Sequence, residues 1–567
     1  MPKTPQQLFE AWLQDPTIDD ETKVELTGIT GQDKEIEDRF YRDLEFGTGG
    51  LRGVMGAGTN RMNRYVIGKA TQGFANYLKG LSSEPSVVIA HDSRRNSDTF
   101  SVESACVLAA NGIKTYLYRS LRPTPQLSFA VRDLKATGGI VITASHNPPE
   151  YNGYKVYNAD GCQLVPHEAE QVIASIRAVE SFDEVKRLTQ AEAESAGLLV
   201  WLGEAEDQRF IDAVAASAVQ PEWLRSGAGA GISIVFTPLH GAGNLPVRRV
   251  LAQAGFTNVH VVEAQELPDG QFPTVKSPNP EEHEAFTLAM KLADETDADL
   301  IIGTDPDCDR MGAVVKNDAG KYVVLTGNQS GALMVYYLLS RLKEQGKLPA
   351  NGAVVKTIVT SEMGADIAAS FGCEVFNTLT GFKYIGEKIK QFEQTGSHVY
   401  LFGYEESYGY LTGTYARDKD AVVASLLISE AAAYYKSQGK TLYSVLLDLY
   451  AQYGAYLERL ESRTLKGKDG LEKIGAIMND WRSNPPQEVA GVRVEKVLDY
   501  EKGLDGLPSE NVLKFLLTDG SWFCLRPSGT EPKIKLYFAV RGESLDGAEA
   551  SLNRLISVVM ERVDSLA

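Results

Sequence analysis

Cysteine is scarce in this chain of 567 residues: Cys106, Cys162, Cys308, Cys373 and Cys524 are widely scattered and none forms a CxxC pair. The odd count and wide spacing fit free thiols in a reducing compartment. The amino terminus, MPKTPQQLFEAWLQDP, lacks an apolar core of signal-peptide length. Long hydrophobic runs are also missing. The longest apolar patch, near Ala421 to Ser429, is broken by Glu430, so neither a membrane span nor a membrane partner is expected. Positive charge is in deficit, with 57 Lys and Arg against 75 Asp and Glu and a net charge of −18. That balance repels nucleic acid at long range. A small phosphorylated ligand stays possible, because a local cluster of Lys and Arg can reverse the potential inside a cleft. A soluble cytoplasmic protein is expected; nothing in the composition speaks to its oligomeric state, monomer or homodimer.

What is present is a repeated pattern. A short apolar strand ends in a polar loop containing Gly or Pro, and a helical stretch follows. Examples are Ser86–Ala90 before His91-Asp92-Ser93-Arg94, Ile140–Ile142 before a serine loop, and Ile232–Phe236 before Thr237-Pro-Leu-His-Gly241. Leu300–Ile302, Ala353–Val355 and His398–Phe402 repeat it. Alternation of this kind predicts α/β units with parallel or mixed sheets. The last hundred or so residues differ: Asn511–Leu517, Trp522–Leu525 and Ile534–Val540 read as neighbouring strands before one helix near Gly547–Val563, an α+β module. Linkers are expected near Ala205, near Lys316–Tyr322 and around Tyr453–Lys468, with residues 1–45 helical and packed on the body. At roughly 150 residues per domain the length allows about three to five units.

Four motifs carry chemistry. In Thr143-Ala-Ser145-His146-Asn-Pro148, one hydroxyl stands at the carboxyl end of a buried strand, where ligands bind in an α/β sheet. No GxSxG elbow occurs, and His146, adjacent on an extended loop, is expected to diverge from Ser145 and to serve poorly as its base. Lys155, between Tyr154 and Tyr157, is expected to be partly buried, which by itself lowers an ammonium pKa. Asp305-Pro-Asp307-Cys-Asp309-Arg310, read as extended, presents three carboxylates on one side and Cys308 on the other. Three hard oxygen donors suit Mg²⁺. A calcium-hand loop is ruled out by Arg310 and Lys316 at its glycine and glutamate positions. Arg526-Pro-Ser528-Gly529-Thr530-Glu-Pro-Lys533 offers a bidentate cation, hydroxyls and backbone N–H groups, a phosphate cradle. Gly403-Tyr-Glu405-Glu406-Ser407-Tyr-Gly409 puts carboxylates on a glycine-bounded loop, which fits sugar hydroxyls or a helix cap equally well. Gly47–Gly53 is a glycine-rich loop carrying Arg52; it matches no nucleotide-binding pattern.

Together these motifs resemble the α-D-phosphohexomutase superfamily, the phosphoglucomutases and phosphomannomutases. TASHNP resembles its phosphoserine loop, GTDPDCDR its metal loop, GYEESYG its sugar loop and RPSGTEPKIK its phosphate loop, in the family's order. The length and the TLTGFKYIG and YARDKD segments are most similar to the long phosphoglucomutase and phosphopentomutase branch. The resemblance implies three similar mixed-sheet α/β domains, 1–205, 206–322 and 323–455, and a smaller α+β domain, 456–567, around a central cleft. It implies that Ser145 is the phosphoserine, and that Asp305, Asp307 and Asp309 bind one Mg²⁺ together with a phosphoryl oxygen on Ser145. Arg52 and Lys155 would flank the transferring group, with His146 and Arg310 orienting Ser145 and its phosphate. Glu405, Ser407 and Lys383 would meet the sugar, and Arg526, Ser528, Gly529 and Thr530 would hold the other phosphate. A phosphosugar substrate and glucose 1,6-bisphosphate as primer are implied with them.

The sugar loop carries SYG where the dual glucose/mannose enzymes resemble SGH, which weakens a mannose reading. The ensemble of motifs implies, through the resemblance, glucose phosphate as the expected substrate, with pentose or mannose phosphate as alternatives. Two other classes share some of the features. An aspartyl phosphatase also uses strand-DxD, but Asp309 stands where its Thr is expected. A non-catalytic phosphosugar sensor would keep the binding groups and no labile phosphate.

Overall fold

The computed structural model describes residues 3–47, 49–465, 467–528 and 533–566. Four sheets organise it. The first has six strands in the order Gly50–Val54, Tyr151–Asn158, Gly138–Ile142, Ser86–His91, Lys114–Tyr118 and Leu199–Leu202. The last four in that order run parallel to one another, and the Gly50 and Tyr151 strands add an antiparallel edge. Every residue of Gly138–Ile142 is buried, as expected of a strand covered by helices on both faces. Those covers include Arg64–Leu81, Ser97–Ala110 and Thr124–Asp133.

The second sheet orders Tyr322–Val324, Met311–Lys316, Leu300–Thr304, Ile234–Thr237 and Val259–Val261, and the third orders Glu374–Thr378, Gly352–Thr357, Val399–Tyr404 and Tyr410–Thr412. Both mix a parallel centre with an antiparallel flank. One hydrophobic core runs through these two domains. At its middle lies the helix Ala421–Ser437, the longest apolar patch of the sequence, buried on nearly all sides. Glu430 is satisfied there by the N–H groups of Val219 (2.9 Å) and Gln220 (2.5 Å). No helix among the described residues is long and apolar enough to cross a membrane.

The fourth sheet is antiparallel throughout: Ala455–Thr464, Lys533–Gly542, Trp522–Pro527, Leu513–Leu517, Val492–Asp499 and Glu488–Val489. The helices Gly467–Ser483 and Leu545–Leu566 pack on its apolar face around Trp481, Phe515 and Phe523. The architecture is thus three mixed α/β domains followed by a smaller α+β one, the fold class that the motif order implied.

The segments read as linkers are themselves regular structure. Ala205 lies inside the helix Glu204–Ala215. Lys316 and Tyr322 pair across a tight hairpin. Most of 453–468 is the ten-residue strand Ala455–Thr464. After Leu457 only Leu460 is apolar and the rest is charged or polar, so composition reads as loop although most of the strand is at least partly buried. Residues before 45 form three helices, Pro5–Gln14, Asp20–Thr27 and Asp33–Phe40, closed on a small core of Phe9, Trp12, Phe40 and Tyr65.

Candidate active site

The strands Ser86–His91 and Gly138–Ile142 are parallel neighbours, so the loops after them leave the same sheet edge. Thr143 Oγ1 donates to Asp92 Oδ2 (2.6 Å) and accepts the Ser145 N–H (2.8 Å). Arg94, ion-paired to Asp92 at 3.2 Å, donates to the carbonyl oxygens of Ser145 and Asn147 (2.5 Å each), Pro148 (2.8 Å) and Tyr151 (3.1 Å). Ser145 is held at φ 52°. A non-glycine residue in the left-handed region costs about 1–3 kcal/mol and persists where its surroundings over-determine it. Thr143, Asp92 and Arg94 are those surroundings.

This turn overturns one expectation. The loop is not extended at Ser145, and His146 does not diverge: its Nδ1 lies 3.2 Å from Ser145 Oγ. Burial, with Arg310 and Arg52 nearby, pushes the imidazole well below its ordinary pKa, so it meets Ser145 as a neutral ring.

The aspartate triplet also departs from the extended reading. Asp305 to Asp309 curl in a turn after the strand Leu300–Thr304, with Cys308 at φ 53°. The carboxylates converge because the backbone bends, not because they alternate along a strand. One oxygen from each of Asp305, Asp307 and Asp309 lies within 4.8 Å of the others, and all three residues are buried. The turn sits on Gly241 and Gly243; a Cβ at either would lie 2.5 Å from Pro306 Cα or Thr304 Oγ1. Asp307 Oδ1 and Asp309 Oδ1 are buried and have no hydrogen-bond partner among the described residues. Ser145 Oγ donates to Asp305 Oδ2 at 2.7 Å. Burial and the two neighbouring carboxylates push Asp305 well above the usual carboxylate range. Hard oxygens, two of them orphaned and crowded against a hydroxyl, fit a divalent cation.

Lys155 is buried as anticipated, yet its pKa moves the other way. Burial alone lowers it, but Asp307 at 2.8 Å and Asp309 at 3.3 Å outweigh that and raise it. Partners far along the chain decide the sign. Lys419 completes the cluster, 3.0 Å from Asp309 and 3.2 Å from Asp418. Thr124 of the first domain donates to Asp307 Oδ2 at 2.9 Å.

Glu405 follows the strand Val399–Tyr404 and accepts the Gly381 N–H at 2.9 Å. Burial pushes its pKa up to about 7, against the pull of Lys419. The sugar loop rests on the start of the helix Gly327–Glu344, where a Cβ at Gly327 would meet Glu406 O at 2.1 Å. On the fourth sheet, Arg526 is ion-paired to Glu510 at 2.9 Å, and the Ser528 N–H donates to Lys533 O at 2.7 Å. Gly529 and Thr530 lie outside the described residues.

These loops surround one cleft of about 770 Å³ to which all four domains contribute. Arg52, Ser145, His146, Lys155, Asp309, Arg310, Glu405, Ser407, Arg526 and Ser528 line it. Arg52 donates to Asn147 Oδ1 at 3.2 Å, and Arg310 pairs with Glu281 at 2.6 Å. Asp305 and Asp307 lie beneath its floor, bonded to Ser145 and Lys155. Lys383 is not part of the lining: it is buried, its ammonium 5.2 Å from the centre of the Tyr384 ring. The sequence reading missed Lys419 and Arg94. Each lies in a short charged run that a solvated loop also shows, and a charged run directly before a largely apolar helix, as at Arg417–Asp420, was the available signal.

Comparison with known proteins gives a consistent picture. Four models described as phosphoglucomutase/phosphomannomutase α/β/α domains I, II and III and the C-terminal domain match residues 43–183, 208–320, 326–453 and 474–549. A phosphoglucomutase of Staphylococcus haemolyticus is 38% identical over 521 residues, 90% of this chain and 92% of that protein. The open form of the Paramecium phosphoglucomutase parafusin is similar in fold, with a TM-score of 0.70 at 19% identity over 92% of this chain and 95% of its own. An Aspergillus fumigatus N-acetylphosphoglucosamine mutase, solved with GlcNAc-6P and magnesium, reaches a TM-score of 0.50 at 14% identity over 92% and 96%.

Proposed function

The chain belongs to the phosphoglucomutase/phosphomannomutase family, and on that footing we propose that it interconverts glucose 1-phosphate and glucose 6-phosphate through a phosphoserine at Ser145. The observation that carries this reading is the convergence of Ser145 Oγ, the buried aspartate triplet and Lys155 on one side of a cleft whose opposite wall bears Arg526. One group transfers phosphate and another, a cleft-width away, holds it.

Phosphoryl transfer is mostly positioning and charge stabilisation. Asp305, Asp307 and Asp309, with the Ser145 oxygen, would hold Mg²⁺, which when bound neutralises charge on the transferring phosphoryl oxygens. Lys155 acts as an ammonium, aligning those oxygens and exchanging a proton with the reacting hydroxyl; Arg52 and neutral His146 flank the same group. In the first half-reaction the Oγ–P bond of phosphoserine breaks as the free 6-hydroxyl forms its own O–P bond. The hydroxyl proton leaves and a proton returns to Oγ, giving glucose 1,6-bisphosphate. The bisphosphate turns over. Its 1-phosphoryl group then passes to Ser145 Oγ, and the sugar oxygen gains the proton. Glu405 and Ser407 accept and donate to sugar hydroxyls, while Arg526, Ser528, Gly529 and Thr530 grip the resting phosphate.

The test is a coupled assay of glucose 6-phosphate formation with Mg²⁺ and glucose 1,6-bisphosphate, run beside mannose and ribose phosphates. Glucose phosphate is expected to give the highest kcat/KM. A ribose phosphate preference would move the assignment to phosphopentomutase, and net release of inorganic phosphate would replace it by a phosphatase.

A further inference from the structure

The fourth domain meets the third through an apolar joint: Ile358, Val359 and Leu379 on one side, and Tyr500, Val512, Trp522, Cys524 and Tyr537 on the other. One ammonium crosses that joint. Lys514 is 5% exposed and stands on the strand Leu513–Leu517, paired with Cys524 on the strand that carries Arg526. Its Nζ donates to Ile358 O at 2.6 Å and lies 3.4 Å from Glu362 Oε1 and 4.0 Å from the centre of the Trp522 ring. Lys356, 3.1 Å away, shares the same Glu362 oxygen and donates to Thr360 O at 3.2 Å. Thr357 and Thr360 in turn donate their hydroxyls to Glu406 Oε2, at 3.2 and 3.3 Å. Glu406 is in the sugar loop, next to Glu405.

The polar contacts thus form a continuous path from the strand of the phosphate grip to the loop of the sugar grip. An apolar side chain would fill the joint as well, and a buried ammonium sharing half a carboxylate is a costly way to fill it. Its geometric effect is directional: Lys514 fixes where the fourth sheet sits against Ile358 and Glu362, and those residues set the Thr357–Thr360 turn that Glu406 leans on. We propose that Lys514 is a positioning residue that couples the phosphate grip of the fourth domain to the sugar loop of the third, so that both ends of a phosphosugar are taken up together. The proposal rests on the mutase reading for its biological use, but the coupling is measurable without turnover.

The experiment is amide hydrogen exchange of the full chain with and without saturating inorganic phosphate, in the wild type, Lys514→Met and Thr360→Val. Protection at Leu525–Ser528 reports phosphate on the fourth domain. In the wild type, exchange at Glu405–Tyr408 is expected to slow with it by about fivefold or more, the usual size of an intersite coupling. In both variants the protection at Leu525–Ser528 stays and that at Glu405–Tyr408 is lost. Methionine keeps the apolar stem on Trp522, so the thermal midpoint of Lys514→Met is expected to hold or rise while KM for glucose 1-phosphate increases. Undiminished transmission in Lys514→Met, or none in the wild type, overturns the proposal. So does a fall in midpoint that tracks the loss of activity, which would make Lys514 merely structural. Should Lys514→Met not fold, Thr360→Val, which takes one of the two hydroxyls from Glu406, interrupts the same path from the other side and decides it. A wild type without mutase turnover counts against the proposed function alone.

Discussion

The two walls of the cleft are built differently. Around Ser145 almost every group is buried and held more than once: the serine loop by Thr143, Asp92 and four carbonyl contacts from Arg94, and the triplet by Lys155, Lys419 and Thr124. The opposite wall hangs on one antiparallel sheet. Arg526 and Ser528 are partly exposed, and the sheet reaches the third domain through an apolar joint crossed by Lys514, with an outer ion pair between Arg541 and Asp366. The difference separates two jobs. A transferring phosphoryl group needs fixed dipoles and charges, which cost no reorganisation at the moment of reaction. A bisphosphate that must turn over needs a grip that can let go and take hold again.

Substitutions on the wall around Ser145 should therefore act on kcat and those on the fourth-domain wall on KM. The largest effect is expected for Ser145→Ala: mutase turnover falls by about 10⁴-fold or more, as when a covalent nucleophile is removed, and the protein no longer carries phosphate in an intact-mass measurement after incubation with glucose 1,6-bisphosphate. Retained turnover would break the comparison at its root. Next comes Lys155→Met. Loss of an acid/base and charge-stabilising group predicts a drop in kcat of about 10²–10⁴-fold, with KM changed far less, readable in steady-state kinetics.

The strand-to-loop pattern was legible because buried strands covered on both faces read as short continuous apolar runs, and Gly138–Ile142, Leu300–Thr304 and Val399–Tyr404 all do. The strand Ala455–Thr464 was not, because beyond Leu457 its apolar signal is reduced to Leu460 among Glu458, Arg459, Glu461 and Arg463. Within the site, residue types and loop membership were legible, and conformation was not. Nothing in Thr-Ala-Ser-His fixes a positive φ at Ser145, yet that single dihedral brings His146 to Ser145. The direction of the Lys155 shift depends on Asp307 and Asp309, which only folding brings near. Lys419 was hidden for the same reason.

A smaller effect probes the boundary between the walls. Glu405 titrates near 7 in the folded protein, chiefly through burial. Its folded pKa lies above its unfolded value of about 4.3, so the native state binds more protons in that window. The contribution of this group to stability is full below about pH 4 and is lost as pH rises to about 7, by at most about 4 kcal/mol. Glu405→Gln should lack this decline. Denaturant melts of wild type and variant between pH 5 and 8 will show it: the stability gap should widen in favour of the variant as pH rises, and a constant gap would mean that Glu405 is ionised throughout.

The smallest effect is expected on the fourth-domain wall itself. Ser528 lines the cleft beside Arg526, and Ser528→Ala removes one neutral hydrogen bond to a phosphate already held by a cation. Such a bond is worth about 1 kcal/mol, so KM for glucose 1-phosphate should rise by about fivefold with kcat within about twofold. If the fourth domain grips ground state and transition state alike, that uniform loss is all that follows. If Ser528→Ala instead lowers kcat as much as kcat/KM, the grip is made only during transfer. The fourth domain would then belong to the chemistry, and the division between a fixed wall and a releasing one would have to be redrawn along the Lys514 joint.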